Sequence, residues 1–406
     1  MKLRLLFIFF LASSLVYAQD AVSELSFVVS GTVKDASDGA VIENVSVFVP
    51  GTSLATVTNS DGFYRLKSSS PIEAVVFSCL GYGAVRLPVS GDVADVSLRQ
   101  VALTLDEAHI ISMDPRDLVN EAIDRIRDNY SDEADYFNCF YRETVQKRSR
   151  YISIVEAVTD MTKNSYRRLF SSDRVAVRKS RTLLSPRAKD TLSVKVLGGP
   201  LQPVDLDAVK DVRVVFNDLE HCRLSMLQPV YIGDRMQFVV QMEPAAELDY
   251  PLYYGRLYID CVNYAFTRME LSLDMSDPGK ATRSILVSKP SGLRFKPKGM
   301  DLVLSYREEG GAYRLSYMKT EFRFNCDWKR RLFATSFRAV NEMVVTGRVS
   351  DPEARIDRKS ALRSRDALQD IAEDFADPDF WKDYNIIEPT ESLENAIGRL
   401  KREESK

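Results

Sequence analysis

The residues with the clearest potential for chemistry are those of a short oxygen-rich loop. The stretch VTNSDGFYRL places Asn59, Asp61 and Gly62 in the order that a calcium-binding loop would use. A full loop of that kind also needs an acidic ligand at its twelfth position. Here the glycine is followed directly by an aromatic strand, and the next acidic residue is Glu73. The stretch therefore predicts a tight turn between two strands rather than a metal site.

The two histidines do not form a recognisable catalytic pattern. Zinc peptidases need histidine and carboxylate ligands, and serine hydrolases need a nucleophile beside a histidine base. Neither His109 nor His221 begins an HxxE motif, and the chain has no GxSxG motif. We therefore predict no catalytic residues, no metal site and no cofactor, and we interpret His221 as a residue at a strand edge.

Paired carboxylates are the remaining catalytic pattern. Asp205 with Asp207, and Glu308 with Glu309, are of the type that glycoside hydrolases use in pairs. Because 28% of the residues are charged, such pairs are expected without any catalytic role. We predict a protein that is not an enzyme, with a glycoside hydrolase as the enzymatic alternative.

A strongly basic segment is the clearest electrostatic feature. Residues 166–187 contain seven Arg and Lys side chains and one acidic residue, Asp173, which gives a local charge of +6 in a chain of net charge −3. Arginine binds phosphate and carboxylate groups through paired N–H donors. We predict contact with an anionic envelope partner, a glycan, a lipid or a protein; the alternative is a solvated hairpin. The predicted contact residues are Arg167, Arg168, Arg178, Lys179 and Arg181.

The amino terminus has the features of a secretory signal peptide. Two positive charges precede a short apolar run, and the segment VYA, ending at Ala18, suits signal peptidase cleavage. Loss of residues 1–18 leaves 388 residues (406 − 18) and a charge of −5, since Lys2 and Arg4 are removed. No cysteine follows the cleavage point, and no later segment is apolar enough to span a membrane. We expect an exported protein of the periplasm or outer membrane that is not a lipoprotein and binds no nucleic acid.

Strand and helix patterns predict a mainly β chain of two domains, in the α+β class. Six short alternating or apolar stretches with Gly, Asp, Ser and Pro between them predict a small β-sandwich at residues 26–99, followed by a linker at 100–113. Asp114 and Pro115 predict the start of a helix that runs to Asn129.

Long alternating strands then predict a large antiparallel sheet. These strands, among them YFNCFYRETV and YRLSYMKTEFRFNC, are joined by short polar turns, and the sheet is expected to curl towards a half-barrel. The helix and the sheet together form the predicted domain 114–350. Residues 351–406 are expected to form a helical tail packed on the sheet through aromatic residues, namely Phe380, Trp381 and Tyr384.

The five cysteines allow two interpretations. Cys79 lies alone in the first domain, and the other four lie in the second, where three disulfide pairings are available. Their strand-like surroundings favour small buried apolar residues, whereas an oxidising compartment would allow a disulfide. None has the spacing of a zinc site.

The first domain resembles a known family. The stretch SGTVKDASDGAVIENVSVFVPGTSLATVTNSDGFYRL, followed by VVFSCLGYGAVRLPV, resembles the carboxypeptidase-regulatory-like, transthyretin-like β-sandwich common in exported proteins of the Bacteroidota. The matching positions include Gly31, Gly62 and Gly81. The resemblance implies a non-catalytic accessory module. The order of FYRET, GRLYID and FWKDYNIIEP is similar to a family in which this module precedes a β-rich domain of unknown function.

A second resemblance supplies an alternative function. GRLYIDCVNYAFTRMEL is similar to the strand-turn-strand unit of exported half-barrel proteins that handle lipids or lipoproteins. We predict a non-enzymatic cell-envelope binding or assembly protein. The alternative is a carrier in which a curved sheet cups a lipid or another apolar ligand.

Overall fold

The amino-terminal domain is a β-sandwich of two small sheets. The computed structural model describes residues 27–102, 113–167, 173–187, 190, 194–328, 334–349, 351, 354–363, 368–377 and 384–404. One sheet has the order β4-β1-β7 and the other β3-β2-β5-β6. The strands are β1 (Phe27–Asp35), β2 (Ser46–Phe48), β3 (Ala55–Val57), β4 (Phe63–Ser68), β5 (Ala74–Ser78), β6 (Val85–Pro88) and β7 (Val96–Leu98). Their inward side chains form one apolar core that includes Val33, Val47, Tyr64, Leu66 and Phe77, so the predicted sandwich is confirmed.

The loop between β3 and β4 is the predicted tight turn. The Oδ1 atom of Asn59 accepts hydrogen bonds from the backbone N–H groups of Asp61 and Phe63, both at 3.0 Å. Gly62 has a φ of 71°, a left-handed conformation that glycine adopts without strain. The Asn59 amide also donates to the carbonyls of Glu388 and Pro389, so the turn holds the distant tail as well.

The large domain is built on an open antiparallel sheet of ten strands, as predicted. Its spatial order is β10-β9-β8-β19-β18-β17-β15-β14-β13-β12, so the first strand of the domain pairs with the last in the interior of the sheet. The strands are β8 (Asp135–Lys147), β9 (Arg150–Lys163), β10 (Arg174–Leu184), β12 (Cys222–Ile232), β13 (Arg235–Pro244), β14 (Tyr253–Asp260), β15 (Phe266–Leu273), β17 (Leu293–Glu309), β18 (Ala312–Trp328) and β19 (Thr335–Val349). A separate two-stranded ribbon pairs β11 (Lys195–Val196) with β16 (Leu286–Ser288).

One side of this sheet, which we call the core face, is covered by helices and by the chain between β11 and β12. The described residues contain six α-helices in all, of which α6 packs on the opposite side of the sheet. They are α1 (Pro115–Asp124), α2 (Ile126–Asn129), α3 (Gln202–Asp205), α4 (Pro278–Ile285), α5 (Leu368–Ile371) and α6 (Glu391–Glu404). Three 3-10 helices span Val212–Val214, Phe216–His221 and Ala372–Phe375. Leu118 and Val119 of α1 and Phe216 pack with sheet residues such as Val155 and Leu304 in the main apolar core. The core face is therefore filled by other parts of the chain.

The helix predicted from Asp114 is present, but it is interrupted. The Asp114 carboxylate accepts from the backbone N–H of Arg116 at 2.8 Å, and Pro115 occupies the first turn. At Arg125 the chain leaves α1, and a short second helix, α2, ends at the predicted residue Asn129. None of the helices in the described part of the chain is long and apolar enough to cross a membrane.

The opposite side, the docking face, carries the sandwich and the carboxy-terminal tail. Val57 of β3 joins sheet residues Phe140 and Val158 and tail residues Ile386 and Ile387 in one apolar cluster, with Tyr384 packed against it. Leu393, Ala396, Ile397 and Leu400 of α6 pack on Ile154 and Leu183. Tyr384 thus has the predicted packing role, whereas Phe380 and Trp381 lie outside the described residues.

All five cysteines are free thiols. Cys139, Cys222 and Cys326 are buried, while Cys79 and Cys261 are partly buried. Burial raises the pKa of the Cys326 thiol to about 12. The interpretation as small buried residues is confirmed for Cys139, Cys222 and Cys326, and none of the three disulfide pairings is present.

Truncation of the apolar cluster beneath the tail should destabilise the whole protein. Ile387 is 3% exposed and contacts both the sandwich and the sheet cluster. We expect Ile387→Ala to lower the free energy of unfolding by about 2–4 kcal/mol, because it removes buried methyl groups and leaves a cavity. Urea denaturation measures the change. Val262, 73% exposed, provides the control. A Val262→Ala variant should change stability by less than about 0.5 kcal/mol, and equal effects of the two variants would contradict the docking described above.

Candidate functional site

The predicted contact residues of the basic segment that the structure describes are all engaged in ion pairs within the chain. Arg168 lies outside the described residues. Each of the other four holds a carboxylate from elsewhere in the chain: Arg167–Asp132 (3.1 Å), Arg178–Asp160 (2.7 Å), Lys179–Asp377 (2.6 Å) and Arg181–Glu156 (2.5 Å). The local excess of positive charge is thus offset by carboxylates that are distant in sequence. Whether the four residues contact an outside partner stays a prediction.

Arg181 lines a cavity, which we call the basic pocket. The cavity has a volume of about 300 Å³ and lies where the sandwich, the sheet and the tail meet. Five basic and three acidic residues line it, which leaves an excess of two positive charges (five minus three). The lining consists of Arg65 and Lys67 from β4, Arg142 from β8, Glu156 from β9, Arg181 from β10, the tail residues Ile386, Glu388 and Pro389, and Glu394, Ile397 and Lys401 from α6.

A charge triad across three adjacent strands forms the floor of the pocket. The strand register places Glu156 of β9 between Arg142 of β8 and Arg181 of β10. Arg142 Nε lies 2.6 Å from Glu156 Oε1, and Arg181 Nη2 lies 2.5 Å from Oε2. Arg142 also donates to the carbonyl of Ile387 at 2.7 Å, which ties the tail to the floor.

The ionisation state of the triad follows from its contacts. Glu156 is 0% exposed, and burial by itself would favour its neutral form. The two guanidinium groups outweigh burial and hold the pKa of Glu156 below its usual value. The triad therefore contributes a buried carboxylate with two cations, and the surplus positive charge faces the cavity.

The tail forms the rim of the pocket, and side-chain hydrogen bonds hold it to the backbone of β4. The side-chain amide of Asn385 donates to the carbonyl of Lys67 at 2.9 Å, and its Oδ1 accepts from the Lys67 N–H at 2.7 Å. Arg65 Nη1 lies 3.1 Å from Glu388 Oε1. Burial raises the pKa of Glu388 despite the nearby cations. The pocket thus exists only when sandwich, sheet and tail are assembled.

A second cavity, the inter-domain cavity, lies between the sandwich and the sheet. Its volume is about 250 Å³, and its lining is more apolar than that of the basic pocket. Phe48, Leu80 and Ile232 contribute apolar groups, and Arg235 and Arg268 contribute charge. The edge of the sandwich is fixed here by the Gly81 N–H, which donates to the Tyr231 carbonyl at 2.7 Å.

Three of the four carboxylates considered as catalytic pairs, all but Asp205, are held in described ion pairs. Asp207 Oδ2 lies 2.6 Å from Lys163 Nζ, Glu308 lies 3.2 Å from Arg235, and Glu309 lies 2.9 Å from Arg348. Burial raises the pKa of Asp205. These contacts give each of the three a structural role.

The remaining catalytic and metal candidates are few. His221 is the last residue of a 3-10 helix, directly before the edge strand β12, and lies 3.5 Å from Glu220, whereas His109 lies outside the described residues. Among the described residues, no three His, Cys, Asp or Glu side chains are grouped as metal ligands.

Most of the basic pocket was missed by sequence reasoning. Arg65 and Lys67 are two positions apart in β4 and therefore lie on the same face of that strand. In β9, Glu156 likewise shares a face with the apolar residues two positions before and after it. That alternation was the available signal for which side chains point together. It could not show that β4, β10 and α6 would meet, because these contacts join residues far apart in sequence; Arg65 and Glu388, for example, are separated by 323 positions.

Comparison with known proteins identifies the amino-terminal domain. Residues 29–112 match the family model of the CarboxypepD_reg-like domain. The predicted module is thereby confirmed, and its strands β3 and β4 are the ones that contact the tail and the basic pocket. A search of the curated proteins finds no match to the chain.

Two solved structures show a distant likeness to the chain. One is a DUF1329 family protein from Desulfovibrio piger ATCC 29098, at 11% identity and a TM-score of 0.26, covering 62% of this chain and 100% of that one. The other is a LolA superfamily protein from Nitrosomonas europaea, at 11% identity and a TM-score of 0.19, covering 62% and 99%. At such TM-scores neither likeness establishes a shared fold or function.

Loss of the buried carboxylate of the triad should produce a pH-dependent loss of stability. In Glu156→Gln, Arg142 and Arg181 keep their positions without an anionic partner. We expect a loss of about 3–5 kcal/mol in the free energy of unfolding at pH 7. Because the folded-state pKa of Glu156 is depressed, its stabilisation is complete above the unfolded value of about 4.3 and declines as the pH falls towards the lower folded value. The difference between wild type and variant should therefore shrink in acid.

Urea denaturation from pH 7 to pH 3 checks this expectation. Glu243 pairs with Arg223 at the surface, and the two side chains are 48% and 70% exposed. Glu243→Gln should change stability by less than about 1 kcal/mol at every pH. A Glu156→Gln difference that stays constant across the range would show that the triad is not charged as described.

Proposed function

We propose that this chain is a non-enzymatic binding or assembly protein of the cell envelope that recognises an anionic group in the basic pocket. The observation that carries the proposal is the surplus of two positive charges around a cavity of about 300 Å³ at the junction of three parts of the chain. Clusters of guanidinium and ammonium groups in partly desolvated sites bind phosphate and carboxylate.

The size and charge of the pocket define the ligand class. Ligand sites of small molecules begin at about 300 Å³, which suits a sugar phosphate or the head group of a lipid or glycan rather than a long chain. Arg142 and Arg181 are fixed by Glu156 and present rigid donors, whereas Lys67 and Lys401 lie at the partly exposed margin. A negatively charged partner is therefore attracted first by the lysines and oriented by the arginines.

The position of the pocket connects binding with assembly. The Asn59 turn, β4 and α6 all contribute to holding or lining it, so ligand binding is coupled to docking of the tail on the sandwich. An export signal at residues 1–18 would place this surface in the envelope, where anionic glycans and lipid phosphates are exposed. Turnover of an envelope glycan by the purified protein would overturn the non-enzymatic part of the proposal.

Anion binding is measurable with simple probes. We expect inorganic pyrophosphate or glucuronate to bind in isothermal titration calorimetry at low salt, and binding should weaken as ionic strength rises. In the double variant Lys67→Gln, Lys401→Gln, affinity should fall by about tenfold, equivalent to about 1.4 kcal/mol. The two probes distinguish a phosphate from a carboxylate ligand.

A matched control separates the pocket from general surface charge. Lys298 and Lys359 are both exposed and lie outside the lining. The double variant Lys298→Gln, Lys359→Gln removes the same charge and should leave affinity unchanged. Absence of binding by either probe, or equal loss in both double variants, would refute the basic pocket as the site.

A carrier of an apolar ligand is the second candidate, and the inter-domain cavity favours it. The core face, which a half-barrel carrier would leave open for its ligand, is occupied by α1 and by the 3-10 helix that contains Phe216. A carrier would therefore use the cavity lined by Phe48, Leu80 and Ile232. Its volume of about 250 Å³ lies just below the roughly 300 Å³ at which small-molecule sites begin, so it limits the ligand to a short amphiphile.

Native mass spectrometry of the protein purified gently from its own cells tests the carrier. A carrier should retain a small amphiphile, and Leu80→Gln should release it by making the lining polar. Leu184 is exposed and outside this cavity, so Leu184→Gln should retain the bound molecule. A wild-type protein that is free of any small molecule would count against the carrier and leave the anion-binding proposal untouched.

A further inference from the structure

A second cluster of buried charges lies on the core side of the sheet, and Tyr306, which contacts it, also lines the inter-domain cavity. Lys163, the last residue of β9, places its Nζ 2.6 Å from Oδ2 of Asp207 and 3.2 Å from Oδ2 of Asp173. The three side chains are at most 2% exposed. Asp207 belongs to the segment that covers the core face, 44 positions after Lys163 (207 − 163). An amine and two carboxyl groups are thus in contact in a site without solvent.

Aromatic residues enclose this cluster and direct hydrogen bonds at Asp207. The hydroxyl of Tyr166 donates to Oδ2 at 2.9 Å, and the hydroxyl of Tyr306 donates to Oδ1 at 2.7 Å. The ring of Tyr130 lies 5.1 Å from that of Tyr166 and 5.6 Å from that of Tyr306, centroid to centroid. All three rings are buried. The two hydroxyl donors are placed to stabilise negative charge that develops on the carboxyl oxygens of Asp207.

We propose that Lys163 and Asp207 condense to an intramolecular amide bond, with Asp173 as the proton-transfer residue. Transfer of one proton along the 2.6 Å contact converts the ion pair into a neutral amine and a neutral carboxylic acid. The lone pair of Nζ then attacks Cγ of Asp207. Asp173 takes a proton from the nitrogen and returns it to the departing hydroxyl, which leaves as water. One C–N bond forms, one C–O bond breaks, and no oxidant or reductant is needed.

The site supplies the conditions that this reaction requires. The resting state is the ion pair, because Asp207 and Asp173 raise the pKa of Lys163, and Lys163 with the two tyrosine hydroxyls lowers the pKa of Asp207 despite burial; the neutral pair therefore forms only transiently. Reactants held in such geometry react at effective concentrations on the order of 10⁵ M or more. Exclusion of water also opposes hydrolysis of the product.

The geometry selects Lys163 over the other buried amine nearby. Lys210 donates its Nζ hydrogens to the carbonyls of Asn164 and Ser165 rather than to a carboxylate. The new bond would join the end of β9 to the covering segment of the core face. It would provide a covalent link in a chain whose five cysteines are all free.

Peptide mass mapping of the full-length purified protein tests the proposal. The expected result is a cross-linked peptide pair containing Lys163 and Asp207, lighter by one water molecule than the two separate peptides. Trypsin should no longer cleave after Lys163, whereas Lys210 should remain unmodified and cleavable. Recovery of both separate peptides in full yield from folded wild-type protein would overturn the proposal, and this outcome requires no variant.

Three variants assign the roles of the residues. Lys163→Arg keeps the positive charge and should yield no cross-linked peptides. Asp207→Asn should give the same cross-linked mass as wild type, because ammonia leaves in place of water. Asp173→Asn should slow the appearance of the cross-link by at least about tenfold during refolding, since general acid–base assistance contributes at least that much. An unchanged rate in Asp173→Asn, with the cross-link present, would remove Asp173 from the reaction.

Discussion

Both faces of the ten-stranded sheet carry apolar side chains, and each must be covered by another part of the chain. Sheets buried on one side only can leave a polar face in water, but here Phe140, Val158 and Val344 make the docking face apolar along a stripe. The sandwich and the tail cover that stripe. α1 and the chain before β12 cover the core face. The inter-domain cavity lies where the sandwich meets the sheet, and the basic pocket lies where the sandwich, the tail and the sheet meet.

Buried charge imposes a second requirement on the same architecture. An isolated ionised side chain in the interior is strongly unfavourable, so a buried carboxylate needs a cation or neutralisation. Glu156 meets this requirement with two arginines on the docking face, and Asp207 meets it with Lys163 on the core face. Both groups lie at or beside β9 and β10, at one edge of the sheet. The paired charges fix the side chains at that edge of the sheet, and Glu156 and Arg181 of the same edge line the basic pocket.

The basic segment shows why a run of charge in sequence differs from a charged surface. Folding brings carboxylates from the neighbouring strand β9 and from the tail against the basic side chains of β10, so the charge of the segment is offset locally. Arg178 and Lys179 bind aspartates from β9 and the tail, and Arg181 joins the pocket. The surplus positive charge of the basic pocket arises instead where residues from four strands, the tail and a helix converge. Local charge counts could not locate that place.

The sequence by itself determined the secondary structure and the class of the fold. Period-two alternation predicted the strands, Asp114 and Pro115 predicted the start of α1, and Asn59 to Gly62 predicted the tight turn, because these are local preferences of the backbone. The resemblance of the first domain rested on the same local motifs. Tertiary structure alone decided the strand order, the pairing of β8 with β19, and the partners of every charged residue discussed above. Those outcomes depend on burial and on contacts such as Arg65 with Glu388, and the free energy of such contacts is set by three-dimensional surroundings that no local stretch of sequence specifies.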